Sequence, residues 1–125
     1  MKFAKTVFLI AGIYGLIVLV PQFFLERKIG VDTPPPITHP EFFCGFVCVA
    51  VAWQVLFLIL SRDPIRYRPM MIPAMLEKIG FPTAVLILYL QNRVAPAIFI
   101  PASLDLVLLI LFIAAYRKTR DSSRS

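Results

Sequence analysis

The sequence predicts an all-α integral membrane protein: one four-helix transmembrane bundle with both termini in the cytoplasm. Three observations predict it. Hydrophobic residues make up 59% of the 125 positions and charged residues 16%, against about 45–50% and about 25% in soluble domains. The apolar residues fall in four blocks, 6–25, 41–60, 69–90 and 101–116, each near the ~20 residues that cross a hydrocarbon core. The basic residues flank those blocks unevenly. Lys2, Lys5, Arg62, Arg66, Arg68, Arg117, Lys118, Arg120 and Arg124 fall on one side, and Arg27, Lys28 and Arg93 on the other. Nine against three sets the richer side in the cytoplasm of a cell (inner) membrane.

Each block is expected to be helical, because backbone groups in lipid must bond within their own segment. The first follows Lys2 and Lys5 and runs on without a small-x-small cleavage site, so it reads as an uncleaved helix rather than a signal peptide. The connection 26–40 contains Pro34-Pro35-Pro36, which favours stiff polyproline II. It ends in Thr38-His39-Pro40-Glu41, the spacing of a capping box with Thr38 as N-cap and Glu41 at N3. In the connection 61–68, Asp63 is placed to cap a short turn, and Pro69 suits the first turn of the third helix. Pro82 falls inside that helix and is expected to kink it. The connection 91–100 is short and partly apolar, and the fourth helix is expected to begin as early as 97–100. The tail 119–125 is polar and expected to fray.

The net charge of +6 accompanies no phosphate loop, zinc spacing or RNA-binding aromatic motif. The basic residues therefore read as topology signals and contacts for anionic lipid. Arg62, Arg66 and Arg68 with Tyr67 form the densest such group. Cys44 and Cys48 lie within one apolar block, four apart, so they read as a small-residue packing row continued by Ala52, facing Ala11 and Gly15 of the first helix. His39 is the single histidine. No metal and no cofactor is expected.

Ionisable groups inside a membrane helix cost about 2.5–3.5 kcal/mol each at its centre, so each calls for an explanation. Glu77 and Lys78 lie two turns into the third block. Neighbours on a helix point about 100° apart, so one is expected to face the bundle and the other the headgroups. Lys78 has the long stem suited to reaching the interface, which leaves Glu77 inside. Gln54 falls at similar depth and Tyr14 a little deeper, and Tyr14, Gln54 and Glu77 are expected to converge in the cytoplasmic half of the bundle, with Trp53 packed or lining the same space. Two readings stay open. One is a site for the polar end of a lipophilic ligand, such as a quinone, an isoprenoid or another lipid, with Glu77 as acceptor or proton carrier. The other is interhelical hydrogen bonding that fixes register, averaging about 0.6 kcal/mol per bond. Asp105 sits one turn into the fourth block, where it either pairs with Arg93 or His39 or is solvated near a helix N-terminus.

The stretches Phe43-Cys44-Gly45-Phe46, Ala52-Trp53-Gln54, Arg62-Asp63-Pro64-Ile65-Arg66-Tyr67-Arg68-Pro69 and Glu77-Lys78 resemble small four-helix bacterial membrane proteins, and the plan is similar to that of the DoxX-like superfamily. The resemblance implies a compact four-helix unit and no particular reaction. Little of the chain lies outside the blocks to form a catalytic domain. The first functional expectation is thus a non-enzymatic accessory, assembly or interaction subunit, working with membrane lipids as a homo-oligomer or in a larger complex. The second is a binding protein or small enzyme for a lipophilic molecule, using Tyr14, Gln54 and Glu77. The third is an oligomeric proton-coupled transporter of small solutes, which needs Glu77 and Asp105 on one path. Nucleic acid is not an expected partner.

Overall fold

The computed structural model describes residues 2–32 and 37–124, with side chains to residue 120. Four helical stretches are long and apolar enough to cross a membrane: Lys2–Phe24, Pro40–Arg62, Arg68–Leu90 and Pro96–Arg120. The chain is an all-helical membrane protein, with no strand among the described residues. The proline run 34–36 and the polyproline conformation expected for it lie outside the described residues.

The first stretch is α1 (Lys2–Leu19) continued by a 3-10 turn over Val20–Phe24. Pro21 lacks the N–H that would extend the α-helical ladder, so the last turn tightens. A short α2 (Glu26–Asp32) follows, which the sequence reading treated as loop. Its seven residues carry no apolar period long enough to register.

α3 (Pro40–Arg62) takes His39 as its N-cap and Pro40 at its first position, with no side-chain cap bond. The expected capping box is not formed: Glu41 turns instead to His39, at 3.3 Å from its Nδ1, and the His39 ring stacks on Phe42. The connection to α4 behaves as expected, with the Arg66 N–H donating to Asp63 Oδ1 at 3.2 Å.

A 3-10 turn at Arg68–Met70 leads into α4 (Met71–Leu90), which runs through Pro82. α4 stops at Asn92, which adopts φ 59°, a left-handed conformation that asparagine tolerates. The Arg93 N–H reaches the Leu88 carbonyl and the Asn92 N–H the Tyr89 carbonyl, both at 2.9 Å. That pair of bonds is the Schellman closure of a helix C-terminus. α5 (Phe99–Arg124) begins inside the expected window and extends through the tail that was expected to fray. Thr119 explains part of that extension: it is fully buried and its hydroxyl donates to the Ala115 carbonyl at 2.9 Å.

α1 packs against both α3 and α5, and α5 packs against α4. The core fills only one half of this bundle. Ala4, Val7, Phe8 and Ala11 of α1 meet Phe57 and Leu60 of α3, Met71 and Ala74 of α4, and Phe112 and Ala115 of α5. Both chain ends and the Ser61–Met70 connection therefore lie at this end, called the terminal end below. Its centre is an aromatic stack: Phe8 and Phe112 at 4.4 Å between ring centroids, Phe57 edge-on to Phe112 at 5.1 Å. Lipid tails are as apolar as these side chains, so close packing rather than the hydrophobic effect holds such a core.

The α1–α3 contact does not use the cysteine row. Cys48 and Ala52 are exposed, and Val47, Ala50, Gln54 and Phe57 form the buried face of α3. On α1 the close approach falls at Gly12 and Gly15. A Cβ at Gly12 would meet Leu58 Cδ2 at 2.7 Å, and one at Gly15 would run into the Gln54 amide. The bulk that needs room is Gln54 and Leu58, so the glycines that make way for it are on α1.

Candidate functional site

In the other half of the bundle the helices part around a half-enclosed cavity of about 340 Å³. Tyr14, Gly15, Val18, Leu19 and Gln22 line it from the first stretch, Phe46, Ala50 and Gln54 from α3, Glu77, Lys78 and Phe81 from α4, and Ile98, Pro101 and Asp105 from the fourth. The upper walls are largely apolar. Gln22 lies near the top, and Gln54, Glu77, Lys78 and Asp105 gather lower down, toward the aromatic stack.

Lys78 holds that bottom together. Its ammonium donates to Asp105 Oδ1 at 3.3 Å and lies 3.5 Å from Glu77 Oε2. The Lys78 side chain is only 7% exposed, and both carboxylates are 22% exposed. Below it, the Phe57 ring centroid is 5.5 Å from Nζ, within cation–π range. Lys78 lies ten residues from Arg68 and twelve from Leu90, the ends of its apolar stretch. At 1.5 Å per residue these are about 15 and 18 Å, so the ammonium's helix position is close to the middle of a ~30 Å hydrocarbon core.

This placement corrects the expectation that Lys78 snorkels to the headgroups. Its long stem bends inward because two carboxylates, one from α4 and one from α5, sit in low dielectric, and among the described residues no other cation lines the cavity. It also corrects Asp105, which pairs with neither Arg93 nor His39. Arg93 donates to Gln91 and His39 faces Glu41. Glu77 and Asp105 share one cation.

Gln54 is 2% exposed. Its Nε2 donates to the Ala50 carbonyl at 2.9 Å, which fixes the amide orientation. Among the described residues, Gln54 Oε1 and Glu77 Oε2 are buried acceptors without a hydrogen-bond partner. Two carboxylates and one ammonium leave the site one formal negative charge.

Tyr14, Gln54, Glu77 and Asp105 thus line one cavity, and Trp53 does not. Trp53 packs on the core, its ring 6.4 Å from Phe57. The arginine group divides as well. Arg68 is half-buried: its guanidinium donates twice to the Tyr116 carbonyl, at 2.9 and 3.1 Å, once to Thr119 Oγ1, and stacks 3.7 Å from the Tyr116 ring centroid. It ties the start of α4 to α5 rather than reaching for a headgroup, because the Tyr116 carbonyl and ring and the Thr119 hydroxyl lie beside it. Arg62 and Arg66 remain exposed. Among the described residues no group of three or more His, Cys, Asp or Glu side chains is arranged to hold a metal ion.

Comparison with protein-family models, curated proteins and solved structures finds no match. The class of protein therefore rests on fold and site: a small multi-span helical membrane protein with a charged triad at the floor of an intramembrane cavity.

Proposed function

We propose that this chain is a non-enzymatic membrane protein that binds a small amphiphile in the cavity, polar end down against Lys78, Glu77, Asp105 and Gln54. The observation that carries the reading is the cavity itself, about 340 Å³ between largely apolar walls, with Glu77, Lys78 and Asp105 from two helices in its lining. Ionisable groups inside membrane helices are costly, face a bundle interior or a cavity and mark functional sites. The volume lies at the small end of the roughly 300–1,000 Å³ range of ligand sites. An accessory role, expected from the sequence, is the broader form of this proposal. The excess of Lys and Arg at the terminal end supports an inner-membrane location with that end in the cytoplasm, Arg62 and Arg66 facing anionic headgroups there, and the cavity in the opposite half.

Native mass spectrometry from mild detergent tests the reading. Wild-type protein is expected to carry a retained small molecule. Val18→Trp, which puts a bulky ring into the cavity and leaves the triad alone, is expected to release it. Equal retention by both proteins refutes the proposal.

A second reading is supported by one finding. An oligomeric proton-coupled transporter requires Glu77 and Asp105 on a common path, and both face this cavity. Uptake of a labelled solute into proteoliposomes driven by a pH gradient, abolished by Asp105→Asn, is its test.

A further inference from the structure

Resting on the reading of the cavity as a ligand site, we propose that the site is loaded sideways from the bilayer, between α3 and α4. Its ligand is then an uncharged amphiphile dissolved in the hydrocarbon layer, not an ion or a water-borne solute. The packing of the helices carries this. α1 packs on α3, α4 packs on α5 and α1 packs on α5, whereas α3 and α4 form no packed pair, although they follow one another in the chain. At the terminal end Phe57 and Leu60 of α3 meet Met71 and Ala74 of α4 in the core. Above that level the two helices face the cavity with Phe46 and Ala50 from one and Phe81 from the other. Three sides of the four-helix ring are packed, and the fourth is not.

Depth decides what lies outside that side. Phe46 and Ala50 are six and ten residues from Pro40, and Phe81 is nine from Leu90, the far ends of their spans. At 1.5 Å per residue these are about 9, 15 and 14 Å, inside a hydrocarbon core of ~30 Å. An opening at that level meets acyl chains. Phe46 forms its rim, lining the cavity while 55% exposed. A hydrocarbon body passes this rim freely, since lipid tails are as apolar as the two phenylalanines. An ion at the bilayer centre costs about 2.5–3.5 kcal/mol, and each hydroxyl or amide stripped of water without a partner costs roughly 2–7 kcal/mol. The route therefore admits a ligand with one neutral polar end. The floor suits either kind, a hydroxyl or a carbonyl. Lys78 has three donors for two carboxylates, and those carboxylates accept. Because the floor carries both signs of charge, with Tyr14 beside them, selection rests on the route and the body.

Photolabelling of the protein in phosphatidylcholine nanodiscs tests the route. One probe is a phosphatidylcholine with a diazirine midway along an acyl chain, which stays in the bilayer. The other is a sulfonated diazirine, which stays in water. Labelled residues are mapped by tandem mass spectrometry. Gln54 and Lys78 are the reporters, because both are buried from ordinary lipid contact. The acyl probe is expected to mark them and the sulfonated probe to leave them unmarked. Val18→Trp is expected to abolish the marks while the exposed Ile72 and Ile110 stay labelled; Leu19→Trp, also in the lining, serves if Val18→Trp does not fold. Phe46→Ala widens the mouth and is expected to strengthen the marks. Decanol is expected to compete with the acyl probe at Lys78, whereas decyltrimethylammonium and decyl sulfate, whose charges are permanent, are not. Three results overturn the inference while the ligand site stands: marks at Lys78 from the sulfonated probe, unchanged marks in Phe46→Ala, or competition that does not favour decanol. If neither probe marks Gln54 or Lys78, the bilayer route falls. The ligand site falls with it only if native mass spectrometry also finds equal retention by wild type and Val18→Trp.

Discussion

Replacing Lys78 with methionine removes the positive charge from the cavity floor and keeps most of the stem's apolar volume. Glu77 and Asp105 are then left as two partly buried carboxylates on adjacent helices with no cation facing them. From 332/(εr) at an effective dielectric of about 20, the contacts at 3.3 and 3.5 Å each represent a gross attraction of about 5 kcal/mol. Much of that is offset in the wild type by the several kcal/mol it costs to take each ion out of water, and the ammonium's share of that cost is recovered in the variant. What remains is the loss typical of a buried pair with one partner deleted, about 3–5 kcal/mol. The carboxylates are 22% exposed, which points to the lower half of that range. The triple variant Glu77→Gln, Lys78→Met, Asp105→Asn removes every charge at once and is expected to lie within about 1 kcal/mol of wild type, or above it, because apolar replacement of a whole buried ion cluster is commonly neutral or stabilising. Reversible unfolding against SDS mole fraction in mixed micelles measures both. The reasoning is refuted if Lys78→Met unfolds within about 1 kcal/mol of wild type, or if the triple variant is as unstable as Lys78→Met.

Other perturbations have equally definite signs. Arg68→Ala breaks three hydrogen bonds and the stack on Tyr116, and is expected to cost about 2–3 kcal/mol in the same titration; Arg68→Lys recovers only part, since an ammonium lacks the planar fork. Gly12→Ala drives a methyl against Leu58 and the Gln54 carbonyl and is expected to destabilise by about 1–3 kcal/mol, whereas Gly45→Ala meets nothing within 4 Å and is expected to be neutral or stabilising.

The spans were legible in the sequence because lipid imposes length and hydropathy on each element independently, so no knowledge of the neighbours was needed. Tyr14, Gln54 and Glu77 were legible for a related reason: a polar group within an apolar block must face something. Lys78 was misread because the 100° step between neighbours describes where a Cβ leaves the helix, and a four-carbon stem reaches past that. Asp105 was misread because its depth was counted along its own helix, and the α4–α5 register that brings it to Lys78 is a tertiary property. One signal was available: the four blocks contain two acidic residues and one basic residue besides their ends, and buried charges are paired. The stretch carrying Glu77 and Lys78 also has the lowest mean hydropathy of the four, 1.5 against 2.2–2.6, as a helix that keeps its charges inside the bundle can.

The position of the triad relative to the aromatic stack limits what this fold does unaided. Lys78 rests above Phe57, and Phe8 and Phe112 close the space below that ring. The cavity is therefore one-sided: what enters from the far half stops at the triad. Truncation of a buried phenylalanine costs about 3–5 kcal/mol, and parting the stack sacrifices contacts of that kind. A ligand shifts such an equilibrium only by its differential affinity for the two states, and moving it from 1:99 to 99:1 takes about 5.5 kcal/mol. A small amphiphile seated on the triad binds the closed state, and nothing in that binding favours separated rings. Transport would need a partner protomer or a protonation event to supply the difference, whereas binding needs neither. The one-sided geometry is the reason binding, rather than passage, is the first function assigned to this cavity.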